Sequence, residues 1–263
     1  IDLSEFKEGK AYITLMRYKF MDMKPYVYKT EDYGNNWKLI SYGIEGENNF
    51  VRVVRADKKI RGLLYAGTEN GFFISKNDGE IWEKLQLNLP VVPINDLFIR
   101  NNDLIAATAG RSFWVLDNLS PLQELNVPEE PKIITESNVK RFIGGYIEKS
   151  VEKNLGQNPS PGIEIDYFIP KGFDTLDVKI SILKNNIIIR KFENKKDTIK
   201  FKTWQGGPTE KKYLKPKYGF NRINWDLRRE PFEGVEKVFV YGSYNSGIVS
   251  PGNYKIKMNI GDK

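Results

Sequence analysis

Thr30-Glu31-Asp32-Tyr33-Gly34-Asn35-Asn36-Trp37 and Ser75-Lys76-Asn77-Asp78-Gly79-Glu80-Ile81-Trp82 are the two stretches that decide how this chain reads. They align as hydroxyl-x-Asp/Asn-x-Gly-x-x-Trp, and their first residues stand 45 positions apart, 75 against 30. That period suits one four-stranded propeller blade, typically about 40–45 residues. In such a box the carboxylate or amide accepts hydrogen bonds from N–H groups of its own turn, and the hydroxyl caps the same loop. The glycine supplies a positive φ and the tryptophan packs back between sheets. Thr30, Asp32, Gly34, Trp37, Ser75, Asn77, Gly79 and Trp82 are therefore read as turn-locking residues with a structural rather than a catalytic role.

Working outward, short β-branched or aromatic runs bounded by Gly, Asn, Asp or Pro recur over 11–18, 26–29, 51–55, 63–68, 72–76, 94–99, 104–108 and 113–116. No long amphipathic helical pattern interrupts them, so the spacing predicts an all-β fold. A third unit over 94–117 repeats the strand spacing, but Trp114-Val115-Leu116-Asp117-Asn118 stands where a box would begin and no Gly-x-x-Trp completes it.

The wider run resembles the sortilin-like, BNR (Asp-box) repeat proteins of bacteria that are often labelled glycosyl hydrolases. Carrying residues besides the boxes are Lys24-Pro25-Tyr26-Val27-Tyr28-Lys29, Gly62-Leu63-Leu64-Tyr65-Ala66-Gly67-Thr68-Glu69, Leu85 to Pro93 and Gly110-Arg111-Ser112-Phe113-Trp114. Asn158-Pro159-Ser160-Pro161-Gly162, Gly219-Phe220-Asn221-Arg222-Ile223-Asn224-Trp225-Asp226-Leu227-Arg228 and Pro251-Gly252-Asn253-Tyr254-Lys255 extend it over nearly the whole chain. In one departure, Ala109 stands where that family usually has a histidine before Gly-Arg. The resemblance implies an extracytoplasmic location (secreted, periplasmic or cell-surface) and, by its label, glycoside hydrolysis.

Residues 1–125 are thus expected to form the last blades of an Asp-box propeller, 126–161 a connector with one short helix over 148–153, and 162–263 an immunoglobulin-like sandwich. Strands are expected there over 163–169, 176–183, 187–192, 198–203, 221–227 and 254–260, with Asn185-Asn186 as a tight hairpin turn. Ile223, Trp225 and Leu227 alternate as a core face, while Trp204 beside Gly206-Gly207 reads as a candidate exposed ligand contact. Propellers close with about 4–8 blades. The expectation is therefore a C-terminal portion of a larger protein whose remaining blades complete the ring, with a sandwich short of its last strand; several copies closing a ring together is the other way to cover the open faces.

Composition narrows the chemistry. The 263 residues include no cysteine and no histidine, which removes disulfides, thiolate or imidazole metal sites, a cysteine nucleophile and any Ser-His-Asp triad. Neither a cofactor nor a metal is expected. The net charge of +7 is spread along the chain; its densest cluster, Lys211, Lys212, Lys215 and Lys217 with Tyr213 and Tyr218, has no nucleic-acid motif around it and reads as solvated. No apolar run approaches the roughly 20 residues of a membrane helix.

With the boxes at one end of the strands, the β-turns and crossings at the other end should form the functional rim. They bring Arg17, Asp22, Lys24, Glu69 and Arg111 to one side. Arg17, Lys24 and Arg111 are the candidate ligand contacts, for a glycan or a polypeptide. Asp22 and Glu69 are the candidate acid and base of a glycosidase, and Arg17, Arg111 and Tyr18 a thin version of a sialidase-like arginine cluster with its tyrosine.

Overall fold

The computed structural model describes residues 1–135, 162–195, 213–233 and 244–261. The fold is all-β, 42% strand and 3% helix, built of several antiparallel sheets. The chain separates into two compact units, Ile1–Leu125 and Asn126–Lys263.

The first unit is three sheets in sequence, each a meander. The first holds β1 (Asp2–Leu3), β2 (Ala11–Thr14), β3 (Val27–Thr30) and β4 (Lys38–Leu39). The second holds β5 (Val51–Ala56), β6 (Leu64–Thr68), β7 (Gly71–Ser75) and β8 (Glu83–Lys84), and the third β9 (Ile94–Arg100), β10 (Asp103–Thr108) and β11 (Phe113–Leu116). The strand expected over 11–18 stops at Thr14. Arg17 instead accepts the N–H groups of Phe20 and Asp22, and Tyr18–Phe20 coils into a 3₁₀ turn closed by Met21 at φ 60°.

The second sheet is buried on both faces. Val51, Val54, Leu64, Ala66 and Phe73 meet Tyr12, Val27 and Ile40 of the first sheet and its exit loop. Val53, Leu63, Tyr65, Phe72 and Ile74 meet Ile94, Leu97 and Leu104 of the third. A register shift between Val51 and Val53 puts these neighbours of one strand into different cores. Gly67 permits the close approach of β9: a Cβ there would sit 2.6 Å from Ile94 Cγ2. The two end faces remain apolar and exposed, with Leu3 and Leu39 on the first sheet and Phe98, Phe113 and Val115 on the third.

Where the first two sheets have a box and a fourth strand, the third has neither. Asn118 takes φ 58° and donates its N–H to Asp103 Oδ1, Leu119 is buried, and the chain enters the short helix α1 (Ser120–Gln123). The incomplete box in the sequence has this physical consequence.

In the second unit, β12 (Lys132–Ile133), β13 (Ile163–Ile169) and β16 (Gly219–Trp225) form one sheet. β14 (Val178–Lys184), β15 (Ile187–Glu193) and β17 (Lys255–Ile260) form another. They share a core of Ile165, Tyr167, Ile180, Ile182, Phe192 and Trp225. Asn185 and Asn186, at φ 51° and 63°, close the β14–β15 hairpin as a type I′ turn. Two boundaries differ from the sequence reading. Lys132–Ile133, inside the expected connector, pairs with β13, and the strand expected over 221–227 ends at Trp225 because Leu227 turns to φ 60°. The expected helix over 148–153, the strand over 198–203, Trp204, Gly206-Gly207, Lys211 and Lys212 lie outside the described residues.

Candidate functional site

The two ends of the first unit differ in chemistry. At the box end, Thr30 Oγ1 accepts the Gly34 N–H at 3.0 Å and donates to Asp32 Oδ1 at 2.8 Å, and Asp32 accepts the Asn36 N–H at 2.9 Å. Ser75, Gly79, Asn77 and Ile81 repeat this at 3.0, 2.9 and 2.9 Å. Gly34 and Gly79 sit at φ 89° and 86°. The hydroxyl and the carboxylate or amide of each box are turned inward on their own turn, the geometry of a lock.

The residue before each box glycine also adopts a positive φ, Tyr33 at 60° and Asp78 at 62°. In the second box this aims Asp78 across the interface onto the first sheet. Its carboxylate takes Lys10 Nζ and Lys29 Nζ at 2.6 Å each and the Tyr12 hydroxyl at 2.5 Å. Burial works against ionisation of Asp78, yet the bonds from Lys10, Lys29 and Tyr12 outweigh it and hold its pKa below the ordinary carboxylate value. Burial, then the Asp78 bond, push Tyr12 up, so its phenol stays a donor. This clamp was not legible in the sequence, where Asp78 is the variable position of the repeat.

At the opposite end a turn and a crossing are tied together in each of the second and third sheets. Glu69 donates its N–H to Phe50 O at 3.1 Å, tying the β6–β7 turn to the β4–β5 crossing, and Ala109 donates to Pro93 O at 2.9 Å, tying β10–β11 to β8–β9. Arg17, Asp22 and Lys24 share the β2–β3 turn. Arg17 Nη1 lies 3.4 Å from Asp22 Oδ2, the Tyr26 hydroxyl donates to the same oxygen at 2.8 Å, and the Lys24 N–H reaches Oδ1 at 3.3 Å. The Tyr26 bond first, then the Lys24 amide and the Arg17 charge, hold Asp22 below the usual carboxylate pKa.

Glu69 is not paired with Asp22. It receives Arg52 Nε and Nη2 on Oε2, both at 2.6 Å, and the Arg52 guanidinium carbon stands 5.2 Å from the centre of the Phe50 ring. On that ring Tyr18 also stacks, at 5.3 Å between centroids and 20° between planes. Arg111 lies on the third sheet's turn, where its carbonyl accepts the Trp114 indole N–H, and it has no ion pair among the described residues. Sequence reading missed Arg52, Phe50 and Tyr26. The available signal for Arg52 was a charge inside the apolar run Phe50-Val51-Arg52-Val53-Val54.

Chemically, the two carboxylates of this rim are each already ion-paired, Asp22 with Arg17 and Glu69 with Arg52. A general acid at a glycosidic bond must hold its proton near neutral pH; Asp22 is tuned the other way. A carboxylate-clamping arginine cluster needs several guanidinium groups free for the ligand, whereas Arg17 is engaged by Asp22, which leaves Arg111 as the one expected member without an ion pair among the described residues. Tyr18 makes no side-chain hydrogen bond to a base among the described residues. None of their acidic residues gather in a group of three or more able to hold a metal ion, and none of their helices is long and apolar enough to cross a membrane. No protein-family profile matches the chain, and neither the curated proteins nor the solved structures contain a match.

Proposed function

We propose that this chain is a binding or scaffold module in which the rim opposite the boxes holds a glycan or a polypeptide. One observation carries it: the turn of the first sheet meets the crossing into the second in the Tyr18–Phe50 stack, the same segments carry the Arg17–Asp22 and Arg52–Glu69 ion pairs, and Asp22 is held below the usual carboxylate pKa. On this reading the three sheets are the last blades of an Asp-box propeller and the two sheets of the second unit an immunoglobulin-like sandwich. Support comes from the meander order, the repeated box between third and fourth strands, and the shared two-sheet core. The exposed apolar end faces support further blades of the same protein as the covering partners. The sequence resemblance supports an extracytoplasmic setting.

The experiment is a panel of chromogenic glycosides and polysaccharides incubated with the protein, read for both product and saturable binding. The expected outcome is binding without product. Turnover abolished by Asp22→Asn or Glu69→Gln would instead establish the glycoside hydrolase.

A further inference from the structure

We infer that Tyr18, Phe50, Arg52 and Glu69 form a subsite for the ring of a neutral sugar, which gives the rim reading above a ligand class and rests on it. Phe50 is only 5% exposed, so it serves as the floor; Tyr18 covers it and is itself 40% exposed. One face of the Tyr18 ring is therefore spent on Phe50, while the residue keeps solvent-exposed surface. Arg52 packs on the same Phe50 ring, its guanidinium carbon 5.2 Å from the centroid. Glu69 Oε2 takes two of its N–H groups, and among the described residues neither Arg52 Nη1 nor Glu69 Oε1 has a partner.

The subsite thus presents a partly exposed aromatic ring and, on the same Phe50, an ion pair with one spare donor and one spare acceptor. A pyranose supplies the complement: an apolar C–H face to lie on the ring, and neighbouring hydroxyls, one accepting from Nη1 and one donating to Oε1. The Arg52–Glu69 pair has no net charge. A sialic acid or other carboxylate ligand would have to compete with Glu69 for the guanidinium, and a cationic ligand with Arg52 for the carboxylate. A neutral sugar needs neither exchange. Arg52 sits at the register shift of β5, and Glu69 begins the β6–β7 turn with its N–H fixed to Phe50 O, so the end of the sheet pre-organises the fork.

The test uses the whole chain with cellohexaose, mannohexaose and laminarihexaose as neutral probes, 3′-sialyllactose as an acidic one and an acidic decapeptide as a polypeptide one. The inference expects saturable calorimetric binding of at least one neutral hexasaccharide. It expects at least about a tenfold loss with Tyr18→Ala, retention within about twofold with Tyr18→Phe, which keeps the ring, and no change with Tyr42→Ala, an exposed tyrosine elsewhere. Binding of only sialyllactose or only the peptide, lost with Tyr18→Ala, would overturn the neutral-sugar inference while leaving the rim reading standing. Hexasaccharide binding unaffected by Tyr18→Ala would overturn the inference. Absence of binding by every probe would overturn both.

Discussion

Trp82→Ala is expected to destabilise the first unit by about 3–5 kcal/mol, the range for removing a large buried aromatic. Trp82 is 2% exposed, fills the first-to-second sheet core, and donates its indole N–H to Ile40 O at 2.6 Å. Its backbone is equally confined: a Cβ on Gly43, at φ 94°, would lie 2.3 Å from Trp82 O. The equivalent Trp37 is 38% exposed on the open face of the first sheet, and Trp37→Ala is expected to cost under about 1 kcal/mol. Urea unfolding followed by far-UV circular dichroism measures both. Equal costs would mean that the box tryptophan acts through its own turn and not through the neighbouring sheet.

Asp78→Ala is expected to cost about 3 kcal/mol, because it leaves the Lys10 ammonium, whose side chain is only 4% exposed, without its closest partner. Glu31, 3.5 Å from Lys10, retains part of the compensation. The pH dependence follows from direction. Asp78 titrates lower in the folded chain than in the unfolded one, so its contribution is complete above the unfolded value near 3.8 and is lost as pH falls through the folded pKa. Wild type should therefore lose stability between about pH 4 and pH 2 more steeply than Asp78→Asn, measured by thermal unfolding across that range. Parallel curves would show that the clamp contributes nothing through ionisation.

The sequence showed periodicities and could not show juxtapositions. The boxes were legible because a turn that locks itself uses residues within a span of eight, so Thr30 through Trp37 and Ser75 through Trp82 carry their whole geometry in order. The type I′ turn at Asn185-Asn186 was legible for the same reason. Boundaries failed where the chain left the strand against the pattern, into a turn ahead of the 3₁₀ coil at Tyr18–Phe20 and into the left-handed region at Leu227. The rim was legible as an end of the sheets, since the topology alone places Arg17, Asp22, Lys24, Glu69 and Arg111 there. Its pairings were not. Arg52 meets Glu69 across 17 positions and Asp78 meets Lys10 across 68, and no local signal records either contact. Asp22 and Glu69, the candidate acid and base, sit in two separate ion pairs, with Arg17 and Arg52.

Amide chemical-shift mapping of the isotope-labelled protein during titration with the hexasaccharide that binds best is the most direct test of where ligand is held. The account predicts perturbations gathered at residues 15–26, 50–52 and 68–71, with the box turns at 30–37 and 75–82 unmoved. Perturbations centred on the box turns or on the second unit would contradict it.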